Sequence, residues 1–181
     1  MLNIEYLRYT YMHRKAFEFV VRQIVKDGAE KEALLERAKW HDLDKSLLYT
    51  LMDKKLASKI HRAINSHHME NDIDKSYIDK LEAIIDYESA GYTKADKPRN
   101  AYDTVRDLLP EHTDQLLPIM EHLGIAYSYQ NTPDNEAWQA FINGLKVPSD
   151  EMILDEIYKY ILHDPVEANK IYQIAEENGG V

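Results

Sequence analysis

Apolar side chains recur at intervals of three and four residues through most of this sequence, and no run of four to eight β-branched residues alternates with polar ones. The predicted fold class is therefore all-α. Phe17, Val20, Val21, Ile24 and Val25 form one such stripe, and Gly28 is expected to end its helix as the C′ residue. Leu34, Leu35 and Ala38 lead a second helix into "AKWHDLDKS", residues 38–46, which reads as its continuation. Ala57, Ile60 and Ile64 set the face of a third, expected to run on to His67 and His68; Ile78, Leu81 and Ile85 set a fourth that Gly91 is expected to terminate. "YTKADKPRN" then reads as a loop. Thr132 with Pro133, Ser149, and Asp164 with Pro165 predict three C-terminal helix starts, because a side-chain oxygen caps free N–H groups and proline suits a first turn. Pro118 is expected to shorten or kink the helix in "DQLLPIMEHLG".

A chain of 181 residues can bury one sizeable core, and no linker-like composition interrupts it, so a single domain over residues 1–181 is expected. With no cysteine, thiolate metal sites and cysteine nucleophiles are excluded, which fits a reducing compartment. Any metal must sit on His, Asp or Glu. No leader-like or membrane-spanning apolar run is present, so a cytoplasmic protein without membrane contact is expected. A formal net charge of -10 argues against a sequence-independent grip on long nucleic acid, which needs a basic face. A small ligand is the expected partner.

The histidines fall on the apolar stripes. His13 lies four residues before Phe17, His41 and Asp42 follow Leu34 and Ala38, and His67 and His68 follow Ile60 and Ile64, with His61 seven residues before His68. Asp86 sits on the shoulder of the Ile78, Leu81 and Ile85 stripe. Taken singly, a histidine on such a face is more often a hydrogen-bonded core residue than a ligand. Asp42 is different, since a carboxylate is rarely buried unless paired or bound to a cation. The ordered combination of His13, His41-Asp42 and Asp86 points to a divalent zinc, manganese, iron, nickel or cobalt ion inside a helical bundle.

These residues resemble the H…HD…D signature of the HD-domain superfamily of metal-dependent phosphohydrolases, and "HDLDK" is similar to its frequent HD-x-x-K form, with Lys45 as the lysine. The likeness covers roughly residues 5 to 100. It is closer to a bacterial branch whose members carry an extra "HR…HHxEN" block, here "HRAINSHHMEND", followed by a segment like "DYESAGYTKADKPRNAYD"; that likeness supplies no substrate. The resemblance implies an HD helical bundle with residues 101–181 as a C-terminal helical extension, and one metal on His13, His41, Asp42 and Asp86. It further implies that His61, His67 and His68 act like the additional histidines of binuclear HD enzymes, with Asp42 bridging two ions. A cation-free cluster that binds substrate phosphate is the alternative for that trio, and on a regular helix only one of His67 and His68 is expected to ligate.

Catalytic candidates are thus Asp42, Lys45, His67 and Glu70, the last either as a general base or as a partner orienting a histidine. Substrate-binding candidates are Lys45, Arg62, Lys94, Lys97 and Arg99, the last three forming a basic loop in an acidic chain. Tyr6, Tyr9 and Tyr11 flank His13, where packing and base stacking are both open. The stripe containing Ile153, Leu154, Ile157, Tyr158 and Ile161 serves either to pack the extension on the core or to form a homodimer interface. Three functions follow as expectations: hydrolysis of a nucleotide or other small phosphate ester; an HD-fold di-iron oxygenase, disfavoured because His61 and His68 fall on one helix; and a non-catalytic metal- or nucleotide-binding module.

Overall fold

Two apolar cores share one helix in the computed structural model, which describes residues 4–179. In chain order the helices are α1 (Ile4–Ile24), α2 (Ala29–Ala38), α3 (Leu43–Leu51), α4 (Lys54–Ile64), α5 (Tyr77–Thr93), α6 (Ala101–Leu108), α7 (Thr113–Leu123), α8 (Glu136–Gly144), α9 (Asp150–His163) and α10 (Pro165–Glu177), with a 3-10 turn at Pro110–His112. No strand occurs among the described residues, so the all-α class holds. None of these helices is long and apolar enough to cross a membrane.

The amphipathic face of α1 explains the two cores. Its C-terminal half buries Ala16, Phe17, Val20 and Val21 against Leu34 of α2, Leu81, Ile84 and Ile85 of α5, and residues of α6, α7 and α8. Its N-terminal half sends Leu7 and Tyr11 into a second core with Leu43, Leu47 and Leu48 of α3, Ala57 of α4, and Ile153, Ile157 and Ile171 of α9 and α10. His13 lies at the changeover. The segment after residue 100 therefore splits: α6 to α8 complete one core, while α9 and α10 complete the other. Trp40 stacks flat on His163 at the end of α9, with ring centroids 3.8 Å apart, and so ties the second group to the residue just before His41.

Several sequence expectations change for local reasons. Gly28 is not the end of α1 but the residue before α2, where a φ of 146° reverses the chain at little cost only for glycine. The "AKWHDLDKS" helix is broken: α2 stops at Ala38 and α3 starts at Leu43. Between them Asp42 has φ 60° and ψ 10°, the one non-glycine residue with positive φ among those described. The third predicted helix ends at Ile64, because Asn65 turns extended, so His67 and His68 lie on the following turn. Gly91 does not terminate α5, which runs on to Thr93; a Cβ there would come within 3.2 Å of the Arg99 carbonyl and of Asn131 Nδ2. Helix α8 starts after Asn135 rather than Thr132, since the Asn135 side chain accepts the N–H groups of Ala137 and Trp138. Ser149 and Asp164 do cap α9 and α10. Pro118 sits inside α7 on its exposed side, where water can satisfy the carbonyl one turn back.

Candidate metal centre

Three helices and two turns bring the histidines to the seam between the cores. His13 comes from α1, His41 and Asp42 from the α2–α3 turn, His61 from α4, His67 and His68 from the turn after it, and Asp86 from α5; all but Asp86 are buried as whole residues, and the Asp86 side chain is only 13% exposed. The backbone at Asp42 is unusual in two ways. It occupies the position before α3 where an aspartate normally caps, yet its carboxylate makes no cap hydrogen bond. The left-handed backbone is one that aspartate tolerates better than most residues, and the forgone cap costs roughly 0.5–2 kcal/mol. Such strain persists where the surroundings over-determine a residue, and here it aims the carboxylate into the seam.

Asp42 Oδ1 lies 3.0 Å from His61 Nε2, 3.8 Å from His41 Nε2 and 3.8 Å from His67 Nε2, while Oδ2 accepts a hydrogen bond from Lys45 Nζ at 3.2 Å. Asp86 Oδ1 is 2.6 Å from His13 Nε2 and 3.5 Å from His41 Nε2. The donor atoms form four overlapping sets, each within 4.8 Å: His13, His41 and Asp42; His41, His67 and Asp86; His61, His67 and His68; Asp42, Asp44 and His61. The geometry thus unites the four predicted primary ligands and the predicted trio in one cluster. His67 and His68 are not splayed as on a regular helix; their rings are 4.4 Å apart and both face the cluster.

The far sides of the rings are held by carboxylates absent from the sequence-based candidates. His41 Nδ1–H donates to Glu82 Oε1 at 3.1 Å, and His61 Nδ1–H donates to Asp44 Oδ2 at 2.7 Å. His67 Nδ1 is 3.6 Å from the same Glu82 oxygen. The Nε2 atoms of His41, His61 and His67, and both ring nitrogens of His68, are buried without a hydrogen bond. Buried nitrogens normally find partners, and an imidazole fixed by a carboxylate on one nitrogen is the usual presentation of the other to a metal. The residues present could hold a metal ion on nitrogen and carboxylate ligands.

Charge balance leads to the same chemistry. Asp42, Asp44, Glu82 and Asp86 face two fixed cations, Lys45 and Arg37, and the latter is shared with Asp79. At least two negative charges remain for imidazolium ions or a divalent cation to balance. Burial disfavours a charged His41, yet Asp42, Asp86 and Glu82 outweigh it and push its pKa up to about 10; Asp44 and Asp42 likewise push His61 up to about 9 against burial. Burial drives His67 down to about 4, reinforced by His41, and His68 down to about 2, reinforced by His67 and His61. Burial opposes ionisation of Asp42 and Asp86, but Lys45, His61 and His41 hold the first, and His13 and His41 the second, well below the usual carboxylate range.

Other candidates divide by location. Lys45 is partly exposed beside Asp42, Tyr9 stacks parallel to His13 and hydrogen-bonds Thr93, and the Thr93 hydroxyl is 3.4 Å from His13 Nδ1. With Asp86 they mark the solvent-facing rim. Glu70 is at the surface with Oε2 3.7 Å from His68 Nδ1. Arg62 points outward from α4 and, with Lys59, Glu70 and Asp72, lines a surface depression of about 740 Å³. Lys94, Lys97 and Arg99 are exposed on the loop that leaves Thr93; Arg99 pairs with Asp107 at 3.4 Å, and none of the three contacts the cluster among the described residues.

The missed residues had partial signals. Asp79, Glu82 and Asp86 repeat at three and four on one face of α5, the same spacing that marks an apolar stripe. Asp44 was hidden because two positions after Asp42 is the opposite side of a continuous helix; only the break turns both inward. Asn65 Nδ2 donates to Asp44 Oδ2, and Asn71 Nδ2 donates to the carbonyls of Arg62 and Asn65, which fastens the "HRAINSHHMEND" turn.

Compared with protein-family models, with curated proteins and with solved structures, the chain gives no significant match.

Proposed function

We propose that this chain is a metal-dependent phosphohydrolase of the HD type, acting on a nucleotide or another small phosphate ester. The observation that carries the reading is the convergence of buried, hydrogen-bond-free imidazole nitrogens on the strained Asp42 carboxylate. His13, His41, Asp42 and Asp86 would hold one cation, and His61, His67 and His68, with Asp42 shared, a second. A bound divalent ion supplies an acidified water and a Lewis acid for a phosphoryl oxygen. Lys45 adds a positive charge at the rim, where a phosphate oxygen can replace part of its contact with Asp42. Tyr9 offers a ring beside His13, and Glu70 offers a proton acceptor beside His68.

One observation favours a second reading, a di-iron oxygenase. His61 lies on α4 while His67 and His68 lie on the turn after it, so the objection that these ligands share one helix no longer applies. Elemental analysis of protein purified without added metal, followed by a screen of nucleotides and phosphomonoesters with manganese, cobalt, nickel and magnesium, separates the readings. Transition metal with phosphate release is the expected result. Two irons with oxygen uptake and no phosphate release would establish the oxygenase, metal with neither activity a binding module, and a chain that takes up no metal would end the proposal.

The basic loop gives a narrower expectation. Neutralising Lys94, Lys97 and Arg99 together should raise KM severalfold at unchanged metal content, because Lys94 directly follows the rim residue Thr93. Unchanged kinetics would make the three residues a solvated loop and nothing more.

A further inference from the structure

The Glu82 carboxylate lies between the two halves of the cluster, and its two oxygens have different tasks. Oε1 accepts a hydrogen bond from His41 Nδ1–H at 3.1 Å and lies 3.6 Å from His67 Nδ1, longer than a hydrogen bond, so one oxygen atom sits beside an imidazole from each proposed subsite. Oε2 accepts from Arg37 Nη1, and the same guanidinium nitrogen donates to Asp79 Oδ1 at 2.7 Å. Asp79 in turn accepts from the Ser66 hydroxyl at 2.8 Å, the residue immediately before His67, and closes the capping box that starts α5. Arg37, Glu82, Asp79 and Ser66 thus form a buried or half-buried chain that fixes both the His41 ring and the backbone carrying His67. Asp44 differs, since the imidazole it holds is His61 alone.

We propose that Glu82, anchored by Arg37, is a shared positioning residue: it holds His41 by a hydrogen bond and, by its negative charge 3.6 Å away, favours the same Nδ1–H tautomer of His67, so that both Nε2 atoms face inward and the two metal subsites depend on one carboxylate. The proposal rests on the two-ion reading above. Its physical basis is that a carboxylate accepting an imidazole N–H fixes ring orientation and raises ligand basicity, an effect whose loss typically weakens metal affinity by roughly 10- to 100-fold. One carboxylate acting on two rings distributes that loss over both ions, whereas a carboxylate acting on one ring confines it to one.

The test is a calorimetric titration of the chelator-stripped full chain with cobalt(II), with the ligand-field absorption recorded in parallel. Wild type is expected to bind two ions. Glu82→Leu should weaken both binding phases by roughly 10- to 100-fold and alter both sets of bands, with the isosteric Glu82→Gln showing a smaller change in the same direction; Asp44→Asn should weaken one phase only. Long-range nitrogen–proton NMR of the zinc-loaded wild type, which does not depend on any variant folding, should show His41 and His67 protonated at Nδ1. Wild-type affinity and bands in both Glu82 variants, or Nε2–H tautomers in the wild type, would overturn the proposal. A single cobalt ion in the wild type would overturn the shared role while leaving a metal centre, and no cobalt at all would overturn the metal reading itself.

Discussion

Replacing Asp42 with asparagine is expected to empty the centre and lower phosphohydrolysis by orders of magnitude in the same preparation. Asparagine keeps the shape and tolerates the left-handed backbone of position 42, so the variant should fold. What it loses is the charge that balances a cation and the oxygen that reaches toward His41, His61 and His67. Stability should report the same event. A ligand bound only by the folded state at 1,000 times its Kd contributes about 4 kcal/mol, and at this chain length each kcal/mol moves Tm by roughly 2–4 °C, so the loaded wild type should exceed the variant by about 8–16 °C. In chelator that difference should shrink to what Asp42 contributes by pairing with Lys45 and the protonated His41 and His61. Metal analysis, phosphate release and melting with and without chelator check the expectation. Equal metal content and an equal chelator effect in both proteins would make Asp42 an ordinary buried aspartate and remove the basis of the hydrolase reading.

Alkaline pH is expected to destabilise the chelator-stripped chain and to spare the metal-loaded one. In the stripped chain His41 and His61 carry pKa values of about 10 and about 9, above the ordinary 6.5 of the unfolded state, so the folded chain binds more protons than the unfolded one between those limits. Their contribution is full below about pH 6.5 and is lost as pH rises toward 9 and 10. His67 and His68 act oppositely, but only on the acid side, where their depressed values destabilise the fold as pH falls below about 6.5. Glu88, pushed up to about 7 by burial, adds a loss that is complete near neutrality. The window from about pH 7.5 to 9 therefore reads His41 and His61 with little interference. Metal must displace these protons, so its apparent affinity should rise over the same window and offset the loss. Melting curves across that range in chelator and in saturating zinc are the measurement; a flat Tm in chelator would show that neither imidazole is held protonated by its carboxylates.

The sequence disclosed the fold to different depths at different places. The stripes of α1, α5 and α9 were legible because an amphipathic face repeats within a few residues, and Ser149 and Asp164 were legible as caps because capping is local chemistry. The inward direction of His13 followed from the same period. The breaks at Asp42 and Asn65 were not legible: "AKWHDLDKS" keeps helical periodicity on paper, and nothing nearby states that Asp42 will adopt a left-handed backbone or that Asn65 will turn toward Asp44. The error mattered for the site, since a continuous helix splays His67 from His68 and hides Asp44 behind Asp42.

Residue order alone determined that this chain is helical, which of its polar residues lie on apolar faces, and that any metal must rest on nitrogen and oxygen ligands. Only the tertiary structure decided that five histidines converge, which nitrogen each presents, and that Glu82 and Asp44 stand behind them. The reason is the range of the interactions. Helical periodicity and caps arise between residues three or four apart, whereas His61 meets Asp44 across 17 residues, His41 meets Glu82 across 41 and His13 meets Asp86 across 73. Contacts at those separations exist only after two cores have packed around α1, and it is the seam between those cores that gathers the polar residues neither core can absorb.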